Sequence, residues 1–158
     1  MYKKILLGII TVLIILIQLY LISVQPINAV NMPYDDNLMI EQAKNILAGK
    51  WLGEYNCLTL VKGVFTPIFI AFSHILHIPF LIAQDIFYIL ACFTLIFVLR
   101  KKIKSKIIAL LGFTFLIFHP IIYSLHMCRV YRDGLYMSLI IYLLAFTIRI
   151  IFKSKRKF

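Results

Sequence analysis

Acidic residues are scarce in this chain. Six Asp and Glu stand against 17 Lys and Arg, for a formal net charge of +11. Cysteine is sparse as well: Cys57, Cys92 and Cys128 form no CxxC pair and have no metal-ligand spacing. A Cys57–Cys128 disulfide needs both thiols close together on an oxidising side and is not expected. Internal repeats, a Gly/Ser linker and low-complexity tracts are absent. So are an RNA-binding motif and a basic stripe interleaved with exposed aromatics, and no nucleic-acid partner is expected despite the charge.

Hydrocarbon is what the chain has in excess. Hydrophobic residues make up 63% of it, against roughly half in soluble domains. Residues 5–24, 80–99, 107–125 and 135–152 are apolar runs long enough to cross a bilayer core of about 30 Å as helices. Run 5–24 is too long for the apolar region of a signal peptide, even though Ile27-Asn28-Ala29 loosely resembles a cleavage site. It reads as an uncleaved anchor. Segment 64–78, "VFTPIFIAFSHILHI", spans only about 22 Å as a helix.

Charge decides whether that short segment crosses. If it does, the cluster Arg100, Lys101, Lys102, Lys104 and Lys106 falls opposite Lys3 and Lys4. If it lies along the membrane, Lys3, Lys4, the 100–106 cluster and Lys153, Lys155, Arg156 and Lys157 are all cytoplasmic, as the bias of basic residues in short loops requires. The expected fold is all-α and polytopic, a single membrane domain over 1–158. It has four transmembrane helices and an outer loop 25–79 carrying juxtamembrane helices at about 37–48 and 64–78. Both termini are cytoplasmic, membrane lipids are partners, and five of the six acids face outward. Asp35 or Asp36 caps the first loop helix and Gly49 stops it. Met39, Ala43, Ile46 and Leu47 form its apolar stripe, with Glu41, Gln42, Lys44 and Asn45 left polar and Trp51 at headgroup level.

This topology collects Asp35, Asp36, Lys62, Arg129, Arg132 and Asp133 on one face. Cations there suit a substrate phosphate, and a carboxylate beside them can accept a proton from an incoming hydroxyl. The bland reading of the same residues is a helix cap, a headgroup contact and a solvated turn.

The order of Asp35-Asp36, Ala43, Ile46-Leu47, Gly49, Trp51, Lys62 and Pro67, followed by Asp133-Gly134-Leu135, resembles that of GT-C glycosyltransferases. Protein mannosyltransferases and aminoarabinose transferases are the nearest kin in pattern. The resemblance covers about residues 1–150. It implies inverting transfer of a sugar from a polyprenyl-phosphate donor at the outer face of the cell envelope. Asp35 would be general base, Asp36 its neighbour able to exchange roles, Lys62 the donor-phosphate ligand and Asp133 a second acid. Arg129 and Arg132 are added from charge alone as phosphate contacts. Two departures stand out. Lys62-Gly63 replaces the family's Lys-Pro, and family members carry many more spans. The chain is therefore expected to be a truncated module, one part of a split enzyme completed by a partner membrane chain, or a relic.

No cofactor is expected, and the family the chain resembles does not generally use a histidine set. His74, His77 and His126 fall near one face and leave a divalent cation open. His119 beside Pro120 marks a kink in the third span. Asp85, near the outer end of its span, reads as structural, in reach of water or a basic residue. Arg149 can snorkel to the inner headgroups. A non-catalytic assembly subunit is the first rival. A transporter component is the second, with only Gln18, Asp85 and His119 to line a polar path.

Overall fold

Six α-helices run along the chain: α1 (Tyr2–Ser23), α2 (Asp36–Leu47), α3 (Phe65–Ile75), α4 (Phe80–Leu99), α5 (Lys106–Ile117) and α6 (Asp133–Ser154), with a 3-10 turn at Pro120–Tyr123. They are seen in a computed structural model that describes residues 2–28, 35–57, 59 and 62–154. Four segments are long and apolar enough to cross a membrane: Ile5–Ser23, Phe80–Leu99, Lys106–Tyr123 and Asp133–Phe152. The chain is an integral membrane protein by this length and composition. The side chains of α1 confirm the kind of solvent it needs, since Ile5, Leu6, Ile9, Val12, Leu13, Leu16 and Ile17 are all exposed. Such a face is stable against lipid tails and not against water.

The expected loop helices both form, with ends shifted by one to three residues. α3 has 11 residues and rises about 16 Å, half of a bilayer core. It packs beside α2 and α4 and does not count as a span. The end of α1 and the start of α4 lie at one end of the bundle, where Ile22 packs with Leu81. Lys155, Arg156 and Lys157 lie outside the described residues, as do the side chains of Lys3, Lys4 and Lys153.

α4 is the hub. Half of its span is buried, against 11% for α1 and 17% each for the third and fourth spans. Tyr88, Ile89 and Cys92 of α4 pack with Phe113 and Ile117 of α5, and Ile14, Ile15, Met137 and Ile141 close the cluster from α1 and α6. Near the start of α4, Leu81 meets Ile22 at the end of α1 and Cys128 in the 124–132 loop. All three cysteines are free, with Cys57 exposed and Cys92 and Cys128 buried.

The expected break at His119 is present and its repair is visible. Pro120 has no N–H, so the Leu116 carbonyl one turn back loses its ordinary helical donor and takes a longer bond from the His119 N–H at 3.4 Å. Tyr88 donates its hydroxyl to that carbonyl at 2.8 Å. His119 Nδ1 in turn accepts from the Ile121 N–H at 3.3 Å and starts the 3-10 turn.

Asp85 departs from expectation. It is 3% exposed, reaches neither water nor a basic residue, and instead takes a hydrogen bond from Gln18 Nε2 at 3.0 Å. Tyr123 donates to Gln18 Oε1 at 2.5 Å, so one glutamine ties α1, α4 and the 3-10 turn together. The second Asp85 oxygen has no donor among the described residues. Removing Gln18 leaves this carboxyl without any recorded partner. Gln18→Leu is expected to lower stability in detergent by about 1–2 kcal/mol, measured by thermal unfolding, whereas Asp85→Asn keeps the acceptor and loses less.

The topology itself predicts a labelling pattern. Cys57 and a cysteine at exposed His126 belong on one side of the membrane, and a cysteine at exposed Lys101 on the other. Impermeant maleimide on intact cells, in a Cys92→Ser/Cys128→Ser background, is expected to label the first two alike and Lys101→Cys oppositely. Labelling of Cys57 and His126→Cys from opposite sides requires α3 to cross.

Candidate functional site

The site is assembled at the end of the bundle where α1 leaves, α4 begins and α6 begins. Asn28 pins the exit of α1, its N–H donating to the Cys128 carbonyl at 2.9 Å. α2 follows after residues 29–34, which lie outside the described residues. Asp35 is the residue before α2, yet its side chain caps nothing; only its carbonyl accepts, from Met39 N–H at 3.1 Å. The carboxylate turns to Lys62 instead. Gly49, with φ +74°, ends the helix as expected, and the Lys50 N–H reaches back to the Asn45 carbonyl at 2.9 Å.

Lys62 is placed by a small polar knot that composition hides. Gln42, expected on the polar face, is 3% exposed and donates to the Thr59 carbonyl at 3.1 Å. The Thr59 hydroxyl donates to the Glu54 carbonyl at 3.0 Å and accepts from the Asn56 N–H at 2.9 Å. The knot ties Thr59 to α2, and Lys62, three residues later in sequence, pairs with Asp35. Of the proposed stripe, Met39 and Ala43 are buried while Leu47 is 42% exposed.

Two carboxylates that are neighbours in sequence take different cations. Asp35 pairs with Lys62. Asp36 pairs with Arg129 in a two-pronged contact, Nε to Oδ2 at 3.1 Å and NH2 to Oδ1 at 2.6 Å. The second pair is the more enclosed, with side-chain exposures of 4% for Asp36 and 16% for Arg129, against 28% and 20% for Asp35 and Lys62. Arg129 thereby joins α2 to the 124–132 loop. Arg132 has no acidic partner among the described residues. Its guanidinium lies 5.3 Å from the Tyr131 ring and 5.7 Å from the Tyr136 ring.

Tyr131 is the residue sequence reasoning passed over. Its hydroxyl lies 3.4 Å from Asp35 Oδ1 and 3.5 Å from Lys62 Nζ, and Lys62, Arg129 and Arg132 all lie over its ring at 5.2–5.8 Å. A ring face attracts cations through its quadrupole, and here one ring serves three. An aromatic two residues after one arginine and immediately before another was the available signal. Asp133 follows Arg132 and opens α6, where an acid favours the helix dipole. No contact joins it to Asp35 or Lys62 among the described residues.

The first pair shifts its own titrations. The hydrogen bond from Lys62, with its charge behind it, holds the Asp35 carboxyl below the ordinary 3.8 despite partial burial. The same hydrogen bond raises the Lys62 ammonium above 10.5. Arg129 is likewise raised by its hydrogen bonds to Asp36. His74, His77 and His126 are exposed, and among the described residues no group of three or more His, Cys, Asp or Glu is placed to hold a metal ion. No protein-family model matches the chain, and no curated protein or solved structure matches it.

The shifts set a pH window for the docked loop. An acid with a depressed pKa contributes stability that is present above its unfolded value and lost as pH falls through the folded one. A base with a raised pKa contributes below its unfolded value and loses it on the alkaline side. The Asp35–Lys62 contribution is therefore expected to be full between about 4 and 10 and to fail outside. Trp51, the single tryptophan, lies in this loop and reports it. Its fluorescence is expected to be flat from pH 5 to 9 and to change below 3.8, with the acid step lost in Asp35→Asn.

Proposed function

We propose that this chain is a glycosyltransferase of GT-C type, or a module of one, that uses a polyprenyl-phosphate sugar at the outer face of the membrane. The observation that carries the reading is the Asp35–Lys62–Tyr131 contact. A candidate base, a candidate phosphate ligand and a hydroxyl come together from three distant parts of the chain. All of this lies at the end of the bundle where α1 leaves and α4 begins, which in this reading is level with the outer headgroups.

In this reading the resting ion pair keeps Asp35 a weak base. The donor phosphate draws Lys62 away, with Arg132 as a second cation that has no competing carboxylate among the described residues. Asp35 then loses its cation and gains an anionic neighbour, and both changes raise its basicity. The acceptor hydroxyl gives its proton to Asp35, and its oxygen attacks the anomeric carbon opposite the phosphate. The bond from that carbon to the phosphate oxygen breaks, and polyprenyl phosphate leaves with the electron pair. Anomeric configuration inverts. Asp36 is the structural partner of Arg129, which makes exchange of roles with Asp35 less favourable, since Arg129 would be left uncompensated. Asp133 orients acceptor or donor from the start of α6. A partner membrane chain would supply the remaining donor cavity.

One observation favours the non-catalytic rival: both carboxylates are already paired, as in a brace that only holds α2 down. A charge swap separates the two. With the full chain in membranes and a synthetic polyprenyl-phosphate sugar, Asp35→Asn is expected to reduce transfer at least about 100-fold at unchanged protein level. The exchange Asp35→Lys with Lys62→Asp is expected to restore the Trp51 signal and not the transfer. Unchanged transfer by Asp35→Asn defeats the enzyme reading.

A further inference from the structure

At the opposite end of the bundle, a groove of about 330 Å³ opens between α1, α4 and α5. Leu7, Gly8 and Thr11 form one wall, Phe93 and Ile96 the second, and Ala109, Leu110 and Phe113 the third, with Arg100 and Lys106 also on its lining. Its size is that of a site for a small ligand. Gly8 lies on its wall, and a Cβ there would meet no atom within 4 Å, so the space beside it is open. The groove is apolar along the spans and cationic where the α4–α5 link begins and ends.

We infer that this groove binds one anionic phospholipid, its acyl chain beside Gly8 and its phosphate between Arg100 and Lys106. The two cations bracket the α4–α5 link, and both line the groove. α4 ends at Leu99, the link is six residues, and α5 begins at Lys106 with Ser105 accepting from the Ile108 N–H at 3.4 Å. The first turn of α5 has a lysine and no acid, so the positive end of the helix dipole meets a positive side chain. An anion offsets both. The stretch 100–106 carries five basic residues and no acidic one, and neither Arg100 nor Lys106 has an ion pair among the described residues. Lys102 is engaged elsewhere, 5.2 Å from the Phe152 ring. The charge of the rim therefore selects a negative headgroup, and the dry walls select a lipid over a free phosphate.

The test is native mass spectrometry of the full chain in mild detergent with phosphatidylglycerol or phosphatidylcholine of identical acyl chains. One phosphatidylglycerol is expected to be retained, with about a 30-fold preference from two cations beside an anionic headgroup. Gly8→Phe is expected to abolish retention of either lipid. Arg100→Gln/Lys106→Gln is expected to abolish the preference, while Lys101→Gln/Lys104→Gln, which removes the same charge outside the groove, keeps it. Trp51 fluorescence checks that each variant folds. Equal loss in the two charge pairs overturns the site in favour of diffuse attraction. Equal retention of the two lipids overturns the headgroup assignment. Displacement by equimolar polyprenyl phosphate overturns the choice of phospholipid.

Discussion

Asp36 and Arg129 are 93 residues apart in sequence and meet through two hydrogen bonds in an almost closed setting. Leaving either charge alone in such a setting costs about 3–5 kcal/mol, which makes this pair a strong constraint on how the loop sits. α2 cannot lift from the 124–132 loop without exposing or orphaning one of them. Everything else at that end follows from the clamp. It holds Asp35 one residue away, within reach of Lys62 and Tyr131. It also brings Arg129 over the Tyr131 ring, so that the aromatic is fixed by cations on several sides. A membrane protein with so few acids thus uses two of them side by side for different tasks, one enclosed and one accessible.

The spans were legible because a bilayer imposes a length on apolar runs. That rule acts on stretches of sequence and needs no knowledge of partners. The short segment around Pro67 was placed along the membrane by charge, and α3 forms there as an 11-residue helix. The stop at Gly49 was also local, since a left-handed residue after a helix favours glycine. What escaped were the polar residues whose partners lie far away. Gln42 and Gln18 sit in helical patterns that put amides on a wet face or merely note them as polar, yet both are buried because a distant carbonyl or carboxyl awaits them. Asp85 was expected to find water or a base; the Gln18 amide reached it first. Tyr131 was one aromatic among many in a membrane chain, where rings at an interface need no special explanation.

The site shows the same division. Asp35, Asp36, Lys62 and Arg129 were named from sequence as neighbours, and two ion pairs join them at one end of the bundle. Their pairing was not. Nothing in "DD" tells which aspartate finds the lysine, and the answer depends on a threonine knot 17 residues downstream of Gln42 and on the arginine four residues before Asp133. Helix phase supplies the reason. Asp36 is the first residue of α2 and is buried with Met39 and Ala43, while Asp35 lies just before the helix, its carbonyl accepting from Met39 N–H and its side chain left for Lys62.

The two ends of the bundle differ in kind, and α4 explains how both persist in one fold. Its first turns carry Gln84 and Asp85 into the interior, and its last residue leads into a run of cations. Between them Tyr88 repairs the break at Pro120, so the third span can turn aside and leave room for the 124–132 loop that carries Arg129 and Tyr131. The 3-10 turn that Pro120 opens leads directly into that loop. The proline, costly inside a helix, is thus part of how the carboxylate pair is reached. The hydroxyl of Tyr88 offsets that cost by occupying the one carbonyl that Pro120 leaves without its ordinary helical donor.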